Sequence, residues 1–80
     1  MNLTKNEFQV LEFVECSKEK VSQRKLSTNL NISVGTVNKI ISNLTSKNYL
    51  TYTSEDGIKS TKEGREALEP FRVKRAILLA

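Results

Sequence analysis

Between residues 22 and 44 the chain carries the cations Arg24, Lys25 and Lys39 and no Asp or Glu. The same stretch holds the hydroxyls of Ser33 and Thr36 and the amides of Asn38 and Asn43. Cations without neighbouring carboxylates attract a polyanion, while hydroxyls and amides add short-range donors and acceptors. The acid-free stretch is longer still, running from residue 20 to residue 54. Residues 1–16 set Lys5 against Glu7, Glu12 and Glu15, whereas residues 17–62 hold eight basic side chains against Glu19, Glu55 and Asp56. The net charge of +4 therefore belongs mostly to the middle of the chain. Such clustering is the electrostatic footprint of a polyanion binder. A solvated face with uneven charge is the competing reading.

Other chemistries find little to work with. Histidine is absent and Cys16 is the single cysteine, so neither a zinc cluster nor a Cys–His nucleophile can be assembled from this chain. No nucleophile–base pair or phosphate-binding loop is visible, and neither enzymatic activity nor a cofactor is expected. Cys16 reads as a small apolar residue late in a helix, and a lone thiol fits a reducing compartment. With no signal-like run and no stretch of roughly 18 apolar residues, a cytoplasmic protein without a membrane partner is expected. A chain of 80 residues suits one core and no deep pocket.

The elements that must position these side chains can be read from caps and periods. Thr4-Lys5-Asn6-Glu7 is a capping-box pattern and predicts a helix over 5–17. Its apolar residues Leu3, Phe8, Val10, Leu11, Phe13 and Val14 spread over an arc of about 220°, wide enough to pack on two sides, either core and last helix or core and a partner. Val21 suits a strand of one or two residues, and Ser22 caps a short helix over 23–30 that buries Leu26 and Leu30. Asn31 stands where the chain must turn, since Asn tolerates the left-handed conformation. Ser33 then caps a third helix over 34–47, whose buried stripe is Val37, Ile40, Ile41 and Leu44. Opposite that stripe fall Gly35, Lys39, Ser42 and Ser46, flanked by Thr36, Asn38 and Asn43. After Asn48 the apolar period becomes alternating and Asp56-Gly57 supplies a hairpin turn, predicting two strands over 50–60. Thr61 caps a last helix, expected to stop at Glu69 because Pro70 disfavours helical geometry in the residue before it. Residues 73–80 read as apolar and β-like.

The fold class is thus mainly α with a small antiparallel β-hairpin. The segment VSQRKLSTNLNISVGTVNKIISNLTSKNYLTY resembles the core of MarR-like and related bacterial winged-helix domains, and STKEGREAL resembles the segment after their wing. The resemblance covers residues 3–69 and implies a winged helix-turn-helix: a three-helix bundle, a wing and a C-terminal helix. It also implies that the third helix enters the major groove of duplex DNA. Carried over, it puts Ser33, Gly35, Thr36, Asn38, Lys39 and Asn43 on the groove-facing side, with Arg24 and Lys25 near the phosphate backbone and Lys59 in the flanking hairpin. In that setting Ser33, Thr36 and the helix-start N–H groups suit phosphate, Asn38 or Asn43 suits adenine, and Lys39 suits guanine or phosphate. Three departures stand out. The third helix has no Arg, Ser27 replaces a small apolar residue where the motif helices cross, and the wing tip carries Glu55 and Asp56. Phosphate would repel that tip, so the wing is not expected to insert into a groove.

The tail VKRAILLA resembles the first strand of a nucleotidyltransferase of the sugar-nucleotide or CDP-choline type. That resemblance implies a division into a winged-helix domain, residues 1–70, and a segment 71–80 that links to, or begins, a catalytic domain. Two functions are therefore expected to compete. One is a DNA-binding regulatory domain of a longer nucleotidyltransferase. The other is an interaction or dimerisation module that packs on its own catalytic domain or a second copy without touching nucleic acid.

Overall fold

The computed structural model describes the backbone of residues 3–79 and the side chains of residues 3–70. Thr4 opens α1 (Lys5–Cys16) with both halves of the capping box. Its Oγ1 accepts from Glu7 N, and Glu7 Oε1 accepts from Thr4 N, each at 3.1 Å. Glu7 is 5% exposed; its carboxylate is offset by Lys47 Nζ at 3.3 Å, which ties the start of α1 to the end of α3. Ser22 caps α2 (Gln23–Leu30), which ends on Asn31 at φ 56°. Ser33 caps α3 (Val34–Ser46). All three caps and the left-handed Asn31 stand where the sequence places them.

The turn between α2 and α3 makes use of the unexpected Ser27. Its hydroxyl donates to Ile32 O at 2.5 Å, while Ile32 N donates to Ser27 O at 3.1 Å. A polar side chain at the crossing therefore fastens the turn, where an apolar one would only fill space. α3 ends in a second left-handed residue, Asn48 at φ 65°. Asn48 N reaches Thr45 O and Tyr49 N reaches Leu44 O, each at 2.9 Å. These are the two bonds of a Schellman ending, which satisfies the last carbonyls of the helix and redirects the chain into the wing.

The wing pairs β1 (Leu50–Thr53) with β2 (Gly57–Ser60) antiparallel, with Leu50 opposite Ser60 and Thr53 opposite Gly57. The expected alternation does not hold: in β1 only Leu50 is buried, and in β2 the neighbours Gly57 and Ile58 both are. The wing is a two-stranded ribbon held by Leu50 at its base and by Gly57 and Ile58 near its turn, and the rest of β1 is exposed. Val21 forms the predicted short strand as a single parallel bridge to Gly57, with Ile58 N donating to Val21 O at 3.0 Å. Gly57 lies at φ 74°, and a Cβ there would fall 2.6 Å from Val21 O. It serves the turn and this close pairing at once.

Thr61 caps α4 (Lys62–Leu79) through its Oγ1, which accepts from Gly64 N at 2.9 Å. α4 does not stop at Glu69. Helical backbone continues through Pro70 to Leu79, which corrects both the expected helix end and the β-like reading of the tail. Proline's cost is local, whereas Arg72, Lys74, Arg75, Ala76, Leu78 and Leu79 are all good helix formers, and a short apolar run does not by itself distinguish strand from helix.

The core is Val10, Leu11, Val14, Val21, Leu26, Val37, Ile40, Ile41, Leu44, Leu50, Ile58 and Leu68, with Leu30 and Ile32 packed against it half-buried. α1 packs on α2, α3, α4 and β2, and Phe8 and Phe13 join the core from its flanks. The wide apolar arc of α1 is thus used within the domain. Cys16, read as a small apolar residue late in the helix, stands at the last position of α1 and is exposed. On α4, Gly64 lies so close to Tyr49 O that a Cβ would overlap that oxygen, and it would also stand 3.2 Å from Leu11 Cδ1. Gly64→Ala is expected to cost about 1–3 kcal/mol by overpacking, despite alanine's better helix propensity. A lowered melting temperature checks it.

Candidate nucleic-acid interface

Burying Val37, Ile40, Ile41 and Leu44 turns the other side of α3 outward, and Gly35, Thr36, Asn38, Lys39 and Asn43 are all exposed, as is Ser33 before them. The helix start is held by its own hydroxyls: Ser33 Oγ accepts from Thr36 N at 3.3 Å and donates to Thr36 Oγ1 at 2.9 Å. The remaining N–H groups of the first turn form a partial positive charge at that end. Asn38 is braced from α2, since Gln23 Nε2 donates to Asn38 Oδ1 at 3.4 Å. With Oδ1 accepting there, Nδ2 is the donor left on that amide. Gln23 was not among the expected site residues; it opens α2, one residue after the cap Ser22, and only the packing of α2 against α3 brings it to Asn38.

Arg24 is exposed on α2. Lys25 is not simply presented to a partner, because its Nζ lies 3.1 Å from Glu19 Oε1 and its side chain is about one-third exposed, at 31%. An ion pair this open to solvent is weak, so an arriving phosphate can replace Glu19 at small cost. Lys59 is exposed but is not brought beside the face of α3. It lines one concavity with Val14, Ser17, Glu55 and Asp56 and another with Glu15 and Arg65, because β2 packs on α1 while α3 packs on β1. Lys20 extends to the wing instead, donating to Ser54 O at 2.9 Å. Glu55 and Asp56 are exposed at the tip.

Among the described residues no group of three or more His, Cys, Asp or Glu side chains could hold a metal ion. No helix among them is long and apolar enough to cross a membrane.

Among solved structures, a MarR/EmrR family transcriptional regulator from Acinetobacter sp. ADP1 matches with a TM-score of 0.77 and 22% identity, over 96% of this chain and 60% of that one. At that identity the likeness establishes the fold, and this chain spans less than two thirds of that regulator's length. No curated protein matches the chain. Residues 3–51 match the protein-family model described as winged helix-turn-helix DNA-binding. Since that match takes in α1, α2, α3 and the start of the wing, the chain belongs to the winged helix-turn-helix DNA-binding family, with a MarR-like fold.

Proposed function

We propose that this chain is a cytoplasmic DNA-binding regulatory module that lays α3 in the major groove of a duplex. The observation that carries the reading is the outward side of α3: Ser33, Gly35, Thr36, Asn38, Lys39 and Asn43 are all exposed there, and no carboxylate interrupts residues 20–54. In this reading Ser33, Thr36 and the helix start meet phosphate, Arg24 and Lys25 steady the flanking backbone, and Asn38, Lys39 and Asn43 face base edges. Lys59 contacts backbone at most, because it stands among Glu55, Asp56 and the end of α1.

Titration of a labelled duplex at low salt, with Lys39→Ala and Arg24→Ala beside the wild type, tests this. Each variant is expected to bind more weakly, and Arg24→Ala, which removes a phosphate contact, to lower the log–log salt slope by about 1. Failure of the wild type to bind any duplex at low salt favours the other use of the fold, packing on a second copy or on a catalytic domain. The finer reading, in which residues 1–70 open a nucleotidyltransferase, rests on the sequence of 73–80 alone, and the helical backbone of 71–79 gives it no strand. The gene beyond Ala80 decides it: a glycine-rich phosphate loop shortly after that residue sustains the idea, and a continuation without one ends it.

A further inference from the structure

Among the described residues two large apolar side chains stand exposed, Val34 at 50% and Tyr52 at 51%. Tyr52 lies in β1, where Thr51 and Thr53 beside it are exposed as well. Val34 is different in kind: it is the first residue of α3, on the element that carries the polar face. It takes no part in the core or in the shell packed against it. Four residues on, one helical turn later, comes Asn38, so the two side chains are neighbours along one edge of the helix. The Gln23 contact occupies Asn38 Oδ1 as an acceptor, which leaves Nδ2 as that amide's donor. On the same side of the helix Gly35 leaves open space, since a Cβ there would meet nothing within 4 Å. A flat surface can therefore approach this end of α3 closely enough to touch a short side chain.

An apolar group next to an N–H donor complements one base edge in the major groove. Thymine alone presents a 5-methyl group beside an acceptor, O4; cytosine offers a donor at the matching position, and neither purine carries a methyl. We propose that Val34 is a specificity-determining residue whose isopropyl group packs on the 5-methyl of a thymine, with Asn38 Nδ2 donating to O4 of that base or of its neighbour. This rests on the duplex-DNA reading of α3, and it adds an apolar contact to a thymine methyl to the charged and polar contacts of that reading. It also supplies base discrimination on a helix that lacks Arg.

The test uses a duplex recovered by the wild-type protein from a randomised double-stranded pool. Each thymine in it is replaced singly by deoxyuridine, which removes the methyl and keeps O4. One position is expected to weaken wild-type binding about four-fold, what burial of one methyl group yields. Val34→Ala should bind the thymine duplex more weakly by a similar factor and no longer distinguish thymine from uracil there. Lys39→Ala should bind more weakly yet keep the distinction, and Val34→Ile should keep both. A thermal melt of Val34→Ala close to wild type excludes a folding defect. If wild type and Val34→Ala respond alike to uracil at every position, the proposal fails while the DNA reading stands. Absence of duplex binding by the wild type overturns both.

Discussion

Leu44→Ala is expected to lower the unfolding free energy by about 2–5 kcal/mol, the usual result of emptying a fully buried leucine site. Leu44 is 0% exposed and closes the buried stripe of α3, and its carbonyl accepts from Tyr49 N where the chain enters the wing. Removing the side chain leaves a void at the junction of helix and wing, where the Schellman ending leaves the backbone little freedom to collapse. A domain this small has a stability toward the lower end of the usual range of about 5–15 kcal/mol, so the loss is a large fraction of the total. Urea denaturation measures it. Ser42→Ala, at an exposed site on the same helix, serves as the control and should stay within about 0.5 kcal/mol of wild type. An unshifted midpoint for Leu44→Ala would place that residue outside the core.

DNA affinity is expected to fall steeply with salt. Arg24 and Lys39 are exposed, Lys25 can exchange Glu19 for phosphate, and Lys20 and Lys59 stand near the wing. With roughly three to five phosphates neutralised per domain, the log–log slope should be about −3 to −4.5. Raising monovalent salt from roughly 50 to 200 mM should then weaken binding by about 60- to 500-fold. The absence of Arg from α3 is the reason to expect charge, more than base hydrogen bonding, to dominate. Fluorescence anisotropy across a salt series measures the slope. A slope near zero would mean that α3 does not face phosphate, whatever else it touches.

Much of the architecture is legible along the chain because its determinants are local. A cap needs a hydroxyl at the right residue, and Thr4, Ser22, Ser33 and Thr61 each accept from a backbone N–H three residues on. A buried stripe needs apolar side chains at helical spacing, and Val37, Ile40, Ile41 and Leu44 supply it. The hairpin needs a residue at ease with positive φ, and Gly57 is that residue. The face of α3 follows from the same stripe, since fixing one side of a helix fixes the other.

Other features came from the way the elements meet. The pairing of Lys25 with Glu19, the bracing of Asn38 by Gln23 and the burial of Glu7 against Lys47 depend on which surfaces meet, and no local pattern records that. The same holds for Gly64 against Tyr49, for Val34 left half in water at the edge of the stripe, and for Lys59 turned from α3 toward α1. α4 departs from expectation for a local reason: Pro70 is a strong stop signal, yet the backbone continues through it because one missing N–H and one crowded carbonyl cost only about 3 kcal/mol against the helix that residues on both sides favour. Period and capping chemistry, acting within a few residues, determined the elements and the face of α3. Packing between elements decided which side chains of that face are braced, shared or left bare.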